Sequence, residues 1–182
     1  MKYQTKRFIA YLNILNVKID SSKFEDRIKA QKLAYIIQSL IGKPLYEDFN
    51  FYIKGPYSPE LAKEYFNFKD EFIEGKTNFK LIGEDKDKIE KASLLLNNLS
   101  LTELEIIGSL IYLLNKGFDE NQAEAKLKEL KQYLKWDDIW RGMNIVKKLF
   151  LTERLRKELM SSLENEISDW DRISDESLKK FE

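Results

Sequence analysis

The stretch Phe24-Glu25-Asp26-Arg27-Ile28-Lys29-Ala30-Gln31-Lys32-Leu33-Ala34-Tyr35-Ile36-Ile37-Gln38-Ser39-Leu40-Ile41, followed by Gly42-Lys43-Pro44, decides the fold. Phe24, Ile28, Leu33, Ile36, Ile37, Leu40 and Ile41 recur at helical spacing and form a stripe wide enough for a helix central to a core. Ser22-Lys23-Phe24-Glu25 has the form of a capping box at its start. Gly42 suits a left-handed residue at its end, and Pro44 stops continuation. Beyond this break the period changes. Phe49, Phe51 and Ile53 alternate with Asp48, Asn50 and Tyr52, which is the strand pattern. The turn Lys54-Gly55-Pro56-Tyr57-Ser58-Pro59 then opens another helix, with Ser58 as N-cap and Pro59 in the first turn.

Working outward, residues 5–16 read as a first helix with Phe8, Leu12 and Leu15 on one stripe. The helix opened by Ser58 runs to about Phe66, and residues 67–75 read as irregular and charged. Residues 78–82 form a second strand candidate, expected to pair with 49–53 because an isolated strand has no partner for its backbone. The remainder reads as helical. Ile89, Ala92, Leu95 and Leu96 share one face; Ser100-Leu101-Thr102-Glu103 is a second capping box; Gly117 suits a cap. Asp119 opens a further helix with Ala123, Leu127 and Leu130 inward, Trp136-Asp137 another with Trp140 and Met143 inward, and Thr152 a last one. The expected fold is mainly α (α+β). It has about seven to eight helices, with a small two-stranded antiparallel β element between the second and fourth. A single domain over 1–182 is expected, made of a 1–83 half, a helical 84–172 half and a polar tail at 173–182.

The 182 residues include 31 basic and 31 acidic ones, so no global field draws the chain to nucleic acid or to an anionic membrane. There is no cysteine and no histidine. Disulfides, thiolate nucleophiles, Cys/His zinc sites and Ser-His-Asp triads are therefore excluded. The carboxylate pairs Glu47-Asp48, Asp70-Glu71, Asp85 with Asp87, and Asp137-Asp138 each have a local reading as caps or exposed charges. The expectation is a chain that is not an enzyme and carries no cofactor and no metal. The high Lys, Glu, Ile and Tyr content without Cys fits heat adaptation or an AT-rich genome. Phe8-Ile9-Ala10-Tyr11-Leu12, broken by Asn13, is too short for a signal peptide, and no apolar run reaches membrane-spanning length. A cytoplasmic protein with no membrane contact is expected.

Two surfaces are candidates for function. Arg27, Gln31 and Tyr35 follow helical spacing along one flank of the second helix. That flank is either a solvated face or one wall of a groove. The facing wall would be the turn bearing Lys54, Tyr57 and Ser58, itself either a plain strand-to-helix connection or a small binding site. The second candidate gathers Lys126, Lys131, Lys147, Lys148, Arg154 and Lys157, with the helices on either side of Gly117 as a helix-turn-helix. Glu124, Glu129, Glu153 and Glu158 share those helices, so an ordinary helical hairpin is the competing reading.

Lys32-Leu33-Ala34-Tyr35 and Gly55-Pro56-Tyr57-Ser58, set in residues 27–38 and 49–61, resemble the small prokaryotic YwgA-like proteins. More distantly they resemble the Panacea antitoxin domain of SocA-type proteins. Panacea members often have Val or Leu after Gly-Pro and a later His-Glu-x-Trp-like segment. This chain has Tyr57-Ser58 and no His, which brings it nearer the YwgA-like group. The resemblance implies a mostly helical domain and, for the antitoxin relatives, protein binding without catalysis. The leading expectation is an interaction module, antitoxin-like or defence-related, whose partner is another protein or a second copy. The alternative is a nucleic-acid-binding transcriptional regulator.

Overall fold

The structure, a computed structural model, describes residues 1–150. Residues 1–146 form one compact unit, and a second unit begins at Lys147. The first unit holds α1 (Tyr3–Ile14), α2 (Phe24–Ile41), β1 (Asn50–Tyr52), β2 (Gly55–Tyr57), α3 (Pro59–Asn67), α4 (Lys69–Glu74), α5 (Glu84–Leu96), α6 (Leu101–Asn115) and α7 (Glu120–Leu130). Residues 136–146 are also helical. Among the described residues no helix is long and apolar enough to cross a membrane.

Among the described residues the fold is mainly helical with one small antiparallel sheet, the class expected from the sequence. α2 is the hub. Leu33, Ala34, Ile36, Ile37 and Ile41 are buried, and the helix packs against α3, α5, α6 and β2. Because α2 reaches both α3 and α6, one core joins the residues before and after 83/84. Helix ends follow local chemistry. Ser100 with Glu103 and Asp119 with Gln122 form complete capping boxes, and Gly42 ends α2 at φ 64°. The box expected at Ser22 does not form. The Ser22 hydroxyl donates instead to Asp20, 2.7 Å away, and α2 starts at Lys23 without a side-chain cap.

The strand pairing differs from expectation. β1 pairs with β2, in the register Asn50 with Tyr57, Phe51 with Pro56 and Tyr52 with Gly55. It does not pair with residues 78–82, which are irregular. The chain reverses at Ile53-Lys54 and resumes through Gly55 at φ 84°, as in hairpins that place a left-handed glycine after the turn. Closing so short a loop loses less chain entropy than joining segments some twenty-five residues apart. Where an irregular segment was expected, α4 forms because it buries Phe72 against the rings of Phe8 and Tyr65, at 6.1 and 6.5 Å. Strand alternation turns Tyr52 and Tyr57 to one face of the hairpin, their rings 5.3 Å apart. Phe51 lies on the other face, its ring 5.3 Å from that of Tyr112 on α6.

A candidate interaction groove

A groove of about 450 Å³ opens between α2, the hairpin and α3. The first turns of α2 supply Phe24, Arg27, Ile28 and Gln31. The hairpin supplies Tyr52, Ile53, Lys54 and Tyr57, and α3 closes it with Tyr65 and Phe66.

The groove keeps its shape because polar residues of α2 hold the hairpin from behind. Gln31 is buried and exchanges two bonds with the backbone of Ser58. Its amide nitrogen donates to the Ser58 carbonyl at 3.0 Å, and its amide oxygen accepts from the Ser58 N–H at 2.8 Å. Lys32, buried beside it, donates from Nζ to the Pro56 carbonyl at 2.7 Å. These side chains take over the outer edge of β2, whose backbone groups would otherwise be buried unpaired. Burial lowers the Lys32 ammonium pKa to about 7, against the opposing pull of Glu105.

A second clamp holds the hairpin tip. Glu105 on α6 is buried. It accepts from Lys131 Nζ at 2.5 Å and from the Tyr133 hydroxyl, with Lys54 Nζ 3.6 Å from its other oxygen. Lys131 also donates to the Ile53 carbonyl. Burial pushes the Glu105 carboxyl up, but the bonds from Lys131 and Tyr133 outweigh it and hold the group below its usual range. Gly55 sits so close to α6 that a Cβ there would lie 2.5 Å from Ser109 Oγ.

Of the residues expected at this site, Arg27, Gln31, Lys54 and Tyr57 come together around the groove. Tyr35 and Ser58 do not. Tyr35 is buried between the rings of Phe49 and Tyr112, its hydroxyl accepting from Asn115 Nδ2 at 3.2 Å. Ser58 is buried as the N-cap of α3, accepting from the Leu61 N–H at 3.0 Å and donating to Asp48. The solvated-face reading of the flank therefore fails at Gln31 and Tyr35. Phe24, read as a core position, is 57% exposed at the rim, and Trp140, also read as inward, is exposed. Periodicity missed Tyr52, Ile53, Tyr65 and Phe66 as lining residues. The signal for the first two was the hairpin itself, which puts Tyr52 beside Tyr57.

Arg27 is held at the groove by one edge of its guanidinium. Its Nη1 donates to the Ser21 and Ser22 carbonyls at 2.8 and 3.3 Å. Its guanidinium lies 5.4 Å from the centre of the Phe24 ring and 5.9 Å from that of Phe66.

The second candidate surface is thinner than its sequence. Lys126 pairs with Glu129 at 2.9 Å on its own helix, and Lys131 is buried on Glu105. Lys147 and Lys148 belong to the second unit, and each is already engaged in an interaction. Arg154 and Lys157 lie outside the described residues. Of the carboxylate pairs, Asp48 caps α3, accepting from the Ser58 hydroxyl and the Glu60 N–H, and Asp85 pairs with Arg7 at 2.8 Å and Lys43 at 2.9 Å. Among the described residues no group of three or more carboxylates could hold a metal ion. Compared with protein-family models, curated proteins and solved structures, the chain matches none.

Proposed function

We propose that this chain is a cytoplasmic, non-catalytic interaction module that holds a segment of another protein in the groove between α2, the hairpin and α3. One observation carries the reading. Phe24, Tyr52, Ile53 and Phe66 are each more than half exposed, and all of them line this one concavity. Apolar surface gathered in a groove is what protein partners cover. The described lining also lacks a carboxylate, so it offers no carboxylate acid–base pair and no carboxylate ligand for a metal. The resemblance to antitoxin domains supports a protein partner and a regulatory or defence role.

The test is site-specific photo-crosslinking in the host. A photoreactive residue replaces Ile53, 86% exposed at the rim, or Ile82, 82% exposed and not part of the groove lining. The expected result is a protein adduct from position 53 that survives nuclease and is absent from position 82. Adducts that vanish with nuclease, or equal yields from both positions, would overturn the proposal.

A further inference from the structure

The described groove lining holds the cations Arg27, Lys32 and Lys54 and no carboxylate. Two of these are committed: Lys32 to the Pro56 carbonyl and Lys54 to Glu105. Arg27 is not fully used. Its Nη1 is tied to Ser21 and Ser22, while its Nε and Nη2 donate to no described residue. The two Nη1 bonds restrain the guanidinium, and the rings of Phe24 and Phe66 lie 5.4 and 5.9 Å from its carbon, so the movement of its free edge is already limited before any ligand arrives. A planar pair of N–H donors at fixed spacing matches the two oxygens of a carboxylate. Neighbouring apolar walls strengthen such a bond by excluding water.

We propose that Arg27 receives the side-chain carboxylate of an Asp or Glu in the partner segment, while a bulky apolar neighbour of that acid packs between Tyr52, Tyr57 and Phe66. This rests on the groove being the interaction site. Ile53 and Phe66, on different walls of the groove, are both exposed, so neither wall folds over to enclose a chain end, which favours an internal acid over a chain terminus.

A display library of random linear peptides, panned on the full chain and counter-selected on a Tyr52→Ala/Ile53→Asp variant, tests both levels. The expected groove-dependent binders carry Asp or Glu beside Leu, Ile, Phe or Trp. Made synthetically with amidated ends, they should lose about tenfold or more in affinity when the acid becomes its amide. On Arg27→Gln that change should matter about twofold or less, and Arg27→Lys, which keeps the charge without the fork, should fall between. Thermal unfolding establishes that each variant is folded, and Arg27→Lys carries the comparison if Arg27→Gln is not. Groove-dependent binders without an acid, or needing a free C-terminus, or indifferent to the amide, overturn the carboxylate assignment and leave the groove standing. If no groove-dependent binder emerges, the groove reading falls as well.

Discussion

Lys32 sits where lysine is rarely tolerated, 2% exposed behind the hairpin, because the Pro56 carbonyl needs a donor there. The charged and titratable groups acting on it are Glu105, Lys131 and Lys54. Its folded pKa of about 7 lies below the ordinary 10.5, so between these values the unfolded chain binds more protons than the folded one. Stability therefore rises with pH across that window, and the cost of burying the ammonium is largest below pH 7. Measured by denaturant unfolding, the stability of the wild type relative to Lys32→Met should improve by about 2 kcal/mol from pH 7 to pH 9. Ionising tyrosines are common to both proteins and largely cancel. A difference that stays flat would mean the ammonium is not depressed. In the sequence Lys32 is a polar helix residue and the start of the Lys32-Leu33-Ala34-Tyr35 motif, and neither reading indicates burial. Its burial depends on β2, a strand the periodicity did not reveal.

At the scale of elements, the hairpin and the helix after it make two tests. Gly55 combines a positive φ of 84° with a Cβ position 2.5 Å from Ser109 Oγ, whereas Gly42, at φ 64°, has nothing within 4 Å. Gly42→Ala should cost about 1 kcal/mol, from backbone strain alone. Gly55→Ala should cost about 2–3 kcal/mol, because it adds a collision at the hairpin's seat on α6. Equal costs would mean that the hairpin shifts freely. Ser58→Ala removes the α3 N-cap and one of the two donors to Asp48, and should cost about 1–2 kcal/mol in thermal or chemical unfolding. Crosslinking from position 53 should persist in its folded fraction, since Ser58 is no part of the groove wall. The Ser58-Pro59 cap was legible because capping is local. Gly55 was legible as a turn residue, but its contact with Ser109, far along the chain, was not.

For the whole molecule, 31 positive and 31 negative charges leave no net attraction for a polyanion. The described cations of the second candidate surface are already engaged with neighbours. Fluorescence polarisation with random duplex DNA should give only weak binding at physiological salt, with a shallow dependence of affinity on salt. Tight, sequence-dependent binding with a steep salt slope would favour the regulator instead.

The sequence by itself determined the α2 stripe, the left-handed break at Gly42, the capping box at Ser100, the helix start at Asp119, and a chemistry without histidine or cysteine. Each depends on neighbours within about one helical turn, or on composition. Only the tertiary structure decided that β1 pairs with β2, that Gln31 and Lys32 face inward to hold that pair, and that Phe24 and Phe66 flank Arg27 at a groove. The reason is that a polar side chain on a helix is equally consistent with water and with a buried backbone group. The choice is made by whichever unpaired carbonyl or N–H the rest of the chain brings within reach.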